Sequence, residues 1–161
     1  MSRRAGHSEN GRVVALGRGI VAPYPLPTSA AATAIGQANR RRDTKPEVLL
    51  RSELHARGLR FRKDHLIRAG GIRVHADVAF TKRRVAVFVD GCFWHMCPDH
   101  GRVPKSNLEY WVPKLQANVE RDARVSGVLE EHGWRVKRIW EHVDPRRAAD
   151  EIEELVRASH S

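Results

Sequence analysis

The run VAVFVD, Val85 to Asp90, most constrains this fold. A near-continuous apolar run of this length is read as a buried strand. Just before it, IRVHADVAF (Ile72 to Phe80) alternates apolar Ile, Val, Ala and Val with Arg, His, Asp and Ala. TKRR between them supplies a polar turn, so the two strands form a hairpin. LRFRKDHLI and WRVKRIWEH are read as two further strands.

Helices surround these strands. In RRRDTKPEVLLRSELHARGL, Thr44 and Glu47 have the spacing of a capping box, with Pro46 in the first turn. Val48, Leu50 and Leu54 begin its apolar stripe, Leu49 lies beside it, and Gly58 closes the helix. A long helix runs from about Leu108 to Gly133, with Pro113 in its first turn. Its apolar positions are Trp111, Leu115, Val119, Val125, Val128 and Leu129. Asp144 and Pro145 start a last helix carrying Ile152, Leu155 and Val156. The order α-β-β-β-α-β-α implies an α/β fold, a mixed central sheet flanked by helices.

The first 38 residues have no sustained period and read as a flexible basic arm, leaving 39–158 as one domain. Lys and Arg number 29 against 19 Asp and Glu, a net charge of +10. That balance calls for a polyanionic partner, nucleic acid or an acidic membrane surface. No apolar run reaches the ~18 residues of a membrane span, and the N-terminus lacks a signal-peptide apolar region. A cytoplasmic chain is expected. In that setting two close cysteines point to metal or catalysis before a disulfide.

Both cysteines lie in VDGCFWHMCPDHG. Cys92, Cys97 and His100 have spacing C-x4-C-x2-H, which suits tetrahedral zinc. His142, after the last strand, is a candidate fourth ligand, and His95 competes with it. The plain alternative is two buried cysteines and surface histidines. Asp77 on the hairpin, taken alone, is a solvated strand residue. With Asp90 and with Glu47 of the first helix, it could instead hold Mg²⁺. His95 could then deprotonate an attacking water, because histidine titrates near neutrality. Trp134 and Trp140 read as core. Phe93 and Trp94, in a polar loop, resemble wedges that enter a base stack. Basic NRRRDTK and TKRR could meet phosphates, although charge runs are usually solvated surface.

VDGCFWHMCPDHG, NLEYWVPKLQANVERD, LEEHGWRVKRIWEH and RRRDTKPEVLLRSELHARGLRFR together resemble the very-short-patch-repair mismatch endonucleases, over roughly Thr28 to His142. The resemblance implies a restriction-endonuclease-like core and nicking 5′ to the thymine of a T:G mismatch left by 5-methylcytosine deamination. It implies catalytic magnesium and structural zinc. By motif, Asp77 and the Val89 carbonyl correspond to magnesium ligands, His95 to the catalytic histidine, Glu47 to the acid of the first helix and Asp122 to a supporting acid. Cys92, Cys97, His100 and His142 fall at zinc ligands. Phe93, Trp94 and Trp111 match the aromatics that enter DNA, and Lys114 and Asn118 match residues touching the mismatched pair.

Two positions depart from the pattern. Asp90 stands where some members have histidine, so it could be a further metal ligand or alter the protonation chemistry. The zinc set is also partly histidine where other members use cysteine. The expected partner is double-stranded DNA with a T:G mismatch, bound by a monomer acting at the bacterial nucleoid; repair-protein partners are not legible. The competing readings are a related Mg-dependent DNA nuclease in restriction or defence, and a non-catalytic zinc-stapled DNA-binding module. The second needs none of Asp77, Glu47, His95 and Asp122.

Overall fold

The computed structural model describes residues 13–16, 20–23, 42–103 and 105–158. A short antiparallel pair comes first, β1 (Val13–Leu16) with β2 (Ile20–Pro23). The rest of the segment read as a flexible arm lies outside the described residues. The domain follows as α1 (Lys45–Ala56), β3 (Arg62–Ala69), β4 (Ile72–Phe80), β5 (Val85–Asp90), α2 (Leu108–Glu131), β6 (Arg135–Trp140) and α3 (Pro145–Arg157). The helices and strands expected of it are all present. Among the described residues no helix is long and apolar enough to cross a membrane.

The sheet order is β3-β4-β5-β6. The first two pairings are antiparallel and β5–β6 is parallel, with α2 as the crossover. β5 is apolar along its length because both its faces are covered. Val85 and Val87 join Leu50, Leu54, Ile139 and Ile152 beneath α1 and α3. Ala86 and Phe88 join Ile67 and Leu129 beneath α2. Arg57 clamps α1 to α3, donating to Asp150 at 2.5 Å, Glu153 at 3.1 Å and the Arg146 carbonyl at 3.0 Å. Asp144 caps α3 by accepting the N–H groups of Arg146 and Arg147. Gly70 and Gly71 form the two-residue β3–β4 turn with φ of +52° and +77°. A Cβ at Gly70 would lie 2.6 Å from Val128 Cγ1.

Several local expectations are corrected. Thr44 is the N-cap of α1, but its hydroxyl donates to Glu47 Oε1 at 2.8 Å instead of capping backbone. Glu47 is buried, so its carboxylate takes every donor in reach, including the Asp43 N–H at 2.9 Å. Val48, Leu49 and Val119 are 47%, 44% and 43% exposed, so the α1 stripe reduces to Leu50 and Leu54. Pro113 is the sixth residue of α2, past the first turn, and cannot donate the helical bond to Glu109. β4 does not keep one alternating face. Ala76 packs beneath α2 while Val78 packs beneath α1 and α3, so the strand changes side at Asp77.

Candidate active site

The change of side at Asp77 reflects a gap in the sheet. β3–β4 pairing runs Lys63 to Val78 and His65 to Ala76, omitting Asp64 and Asp77. Asp64 there has φ of +46°. On the other edge, β4–β5 pairing ends at Val78 and Val87. Asp77 therefore lies where backbone pairing lapses on both sides. Its Oδ2 replaces a ladder partner by accepting the Val89 N–H at 2.6 Å. Burial pushes its carboxyl up to about 6; the Val89 hydrogen bond opposes this, and the charges of Glu47 and Asp90 add to it. Asp77 and Glu47 line a cavity of about 140 Å³ with Arg42, Asp43, Arg51, Lys63 and Asp64.

A second cluster forms where β5 ends. Asp90, His95 and Asp122 offer ligand atoms within 4.8 Å of one another. His95 Nδ1 hydrogen-bonds to Asp122 Oδ2, and Asp90 Oδ1 lies 3.7 Å from the same nitrogen. Arg138 of β6, which sequence reasoning missed, occupies the middle. Its Nε and Nη2 donate to the two Asp90 oxygens at 2.6 and 2.7 Å, and Nη2 lies 3.2 Å from Asp122 Oδ1. Burial pushes the Asp122 carboxyl up, but the His95 hydrogen bond and the Arg138 charge outweigh it and hold it below the usual carboxylate range. The structure thus divides the expected acids. Asp77, Val89 and Glu47 meet on the α1 side, and Asp90, His95 and Asp122 meet on the α2 side. Both Glu47 oxygens are engaged at the start of α1, and both Asp90 oxygens accept Arg138.

The loop between β5 and α2 folds around its cysteines. Cys97 N–H donates to the Cys92 carbonyl, and Gly101 N–H to that of Cys97. Glu141 Oε1 accepts the Cys92 N–H at 2.7 Å, tying the loop to the end of β6. Cys92, Cys97, His100 and His142 then bring their ligand atoms within 4.8 Å of one another. His142 Nδ1 lies 3.1 Å from Cys92 Sγ and 3.7 Å from Cys97 Sγ, and His100 Nδ1 lies 3.9 Å from Cys97 Sγ. A tetrahedron with Zn–S of about 2.3 Å and Zn–N of about 2.0 Å has edges of roughly 3.3–3.8 Å. The donor set and its spacing therefore fit zinc. His95, the competing candidate, turns to Asp122 instead. Burial pushes the Cys92 thiol up to about 11, with Cys97 adding to it. Burial also pushes Cys97 up, but hydrogen bonds from the His100 and Asp99 backbone and the His100 side chain outweigh it and hold it below the usual thiol range.

The aromatics form one half-buried cluster between this loop and the first turn of α2. Phe93 meets Trp94 at 4.9 Å and Trp111 at 5.6 Å, and Trp94 meets Trp111 at 5.9 Å between ring centres. Lys114 Nζ lies 5.9 Å from the Trp94 ring and donates to the Tyr110 hydroxyl at 2.7 Å. Asn118 Nδ2 donates to the Trp94 carbonyl at 3.1 Å, so α2 braces the loop there. All five residues expected at the DNA surface are brought together.

The sequence model for DNA mismatch endonuclease Vsr matches residues 28–99. Type II nicking enzyme V.NaeI of Lentzea aerocolonigenes is 58% identical over 120 residues, 74% of this chain and 72% of that protein. Type II nicking enzyme V.XorIIP of Xanthomonas oryzae pv. oryzae is 42% identical over 109 residues, covering 65% and 75%. DNA mismatch endonuclease Vsr of Escherichia coli K12 is 38% identical over 101 residues, 62% of each chain. Among solved structures, the catalytic domain of homing endonuclease I-Bth0305I superposes with a TM-score of 0.51 at 19% identity, over 74% of this chain and 100% of that one. That likeness carries the nuclease fold alone.

Proposed function

The chain belongs to the DNA mismatch endonuclease Vsr family, and on that premise we propose that it nicks one strand of duplex DNA 5′ to the thymine of a T:G mismatch. One adjacency carries the reading. Trp94, in the aromatic cluster, directly precedes His95, which is bound to Asp122. A ring that tests base stacking and a group that moves a proton thus share one loop. Zinc held by Cys92, Cys97, His100 and His142 would fix that loop's backbone.

His95 takes the role of general base. With its Nδ1–H donated as a hydrogen bond to the ionised Asp122 carboxylate, Nε2 is left free to accept a proton from the attacking water, and Asp122 stabilises the imidazolium that forms. As the water oxygen bonds to phosphorus, the bond to the leaving oxygen breaks and one strand is nicked. Asp77 and the Val89 carbonyl would hold Mg²⁺. A half-buried carboxylate raised by desolvation, with its acidic neighbours adding to the shift, is a group that a hard cation stabilises, so the donor set fits. Bound there, magnesium supplies polarisation of the phosphate and charge at the leaving oxygen. Glu47 adds negative charge beside Asp77. Phe93, Trp94 and Trp111 would enter the stack, which costs least at a mismatch. Lys114 would meet the exposed pair. The hydrogen bond from Asn118 to the Trp94 carbonyl supports a bracing role for it, beside any contact with the bases.

The test is a nicking assay with Mg²⁺ on matched and T:G duplexes of the same sequence. Nicking of the thymine strand in the T:G duplex alone is expected. Equal cleavage of matched DNA would favour a restriction or defence nuclease, and no cleavage of either would favour a binding module.

A further inference from the structure

Arg138 stands in the second acidic cluster without a role assigned so far. Phe88 and Arg138 are partners in the parallel β5–β6 ladder, and the guanidinium carbon lies 5.0 Å from the Phe88 ring centre. The guanidinium thus lies over the Phe88 ring, with its fork directed at Asp90. We propose that Arg138 is a positioning residue for nicking, which decides which of two acids holds His95.

His95 Nδ1 has two carboxylates within reach. Asp122 Oδ2 bonds it, and Asp90 Oδ1 stops 3.7 Å away. Arg138 explains the difference. Both Asp90 oxygens accept its fork, so Asp90 is kept off the imidazole. The same Nη2 lies 3.2 Å from Asp122 Oδ1. With Oδ2 on His95 and Oδ1 beside Arg138, the Asp122 carboxylate cannot rotate freely. One planar cation therefore sets Asp90 apart and fixes Asp122, and through Asp122 it fixes the ring whose Nε2 would take the proton. Lysine cannot substitute. A point charge on a flexible stem pairs with one acid at a time and makes no fork. Without the fork, Asp90 and Asp122 compete for Nδ1 and the ring samples two positions.

This inference rests on His95 acting as the base, and the experiment separates the two claims. The full chain, as purified, is mixed in excess with a T:G duplex and Mg²⁺, and the single-turnover nicking rate is read at saturating protein. Arg138→Lys should keep its zinc and bind the duplex within about twofold of wild type, because the charge is retained. Its nicking rate at saturation should fall on the order of 10- to 100-fold, the effect of a slightly misplaced catalytic group. Arg138→Gln should lose at least as much rate and some melting temperature, since it leaves Asp90 unpaired. If Arg138→Gln does not fold, Arg138→Lys decides. A merely structural role would lower melting temperature and leave the rate of the folded protein unchanged, and that result overturns the proposal. So does Arg138→Lys at the wild-type rate. A wild type that nicks no duplex removes the function reading, and this inference falls with it.

Discussion

Asp77 Oδ2 accepts the Val89 N–H at 2.6 Å just beyond the point where pairing between their strands stops. The carboxylate fills a gap in the sheet that a smaller or apolar side chain would leave unsatisfied. It does so at an electrostatic cost, because Glu47 and Asp90 add negative charge around a half-buried, partly desolvated acid. At neutral pH, where protonation no longer relieves that cost, a cation would.

Asp77→Asn separates these two roles. The amide oxygen can still accept the Val89 N–H, while the charge is gone. At neutral pH and without metal, the variant should melt no lower than wild type. Nicking of a T:G duplex should fall by more than about 100-fold, the scale of losing a group that stabilises transition-state charge. A variant that nicks at near wild-type rate would remove Asp77 from the metal site.

The raised titration of Asp77 fixes the sign of a pH effect. In the metal-free folded chain it titrates at about 6, against an ordinary 3.8. As pH rises the unfolded chain loses this proton first. The stability this group contributes is therefore full below its ordinary value and is lost as pH rises through the folded one. Relative to Asp77→Asn, metal-free wild type should lose on the order of 3 kcal/mol between about pH 3.5 and pH 7. Carboxylates that do not interact with Asp77 cancel in that difference, whereas Glu47 and Asp90 feel its charge. Denaturant titrations of both proteins in chelator would measure it, and a gap that stays flat or closes as pH rises would contradict the assignment. Millimolar Mg²⁺ at pH 7 should narrow the gap.

The Cys/His cluster predicts about one zinc per chain by elemental analysis. Removing it by chelator, or by His142→Ala, should lower the melting temperature by roughly 10 °C, several kcal/mol at about 2–4 °C each for a domain of this size. Cys97→Ser should lose metal even where His142→Ala retains part of it, because a hydroxyl is a poor zinc ligand whereas the other three donors remain in the His142 variant. A protein that carries no zinc and is indifferent to chelator would refute the site.

Much of this was legible in sequence because the signals are local. VAVFVD reads as buried from its own composition, and three candidate zinc ligands fall within nine residues, Cys92 to His100. His142 was legible from its place after a strand. Arg138 was not. RVKRIW looks like a strand with a wet face, and only the parallel pairing of β5 with β6 sets Arg138 beside Asp90, 48 residues earlier. The gap around Asp77 had no sequence signature either, since IRVHADVAF keeps strict alternation while the strand it forms changes side. Side-chain capping at Thr44 failed for a related reason. The spacing was right, but burial of Glu47 redirected the hydroxyl.

The aromatic cluster separates mismatch recognition from general DNA binding. Phe93, Trp94 and Trp111 pack edge to face or tilted, and Asn118 holds the Trp94 backbone to α2. If they were only a small core, Trp94→Ala would lower stability and act equally on every substrate. As a wedge it acts through the difference in stacking between a T:G pair and a matched pair. That difference is a fraction of the few kcal/mol that unstacking a step costs. Phosphate contacts from the basic surface are indifferent to it and depend on salt. Trp94→Ala should therefore lower nicking of the T:G duplex at least about tenfold, one factor of 1.4 kcal/mol, while salt-dependent binding to matched duplex changes less than about twofold. Asn118→Ala should show the same pattern more weakly, since it loosens the ring's support and leaves the ring itself. Parallel measurement of nicking and of matched-duplex binding in both variants decides the matter. Equal losses on the two substrates would make these rings structural and return the chain to a nuclease of broader target.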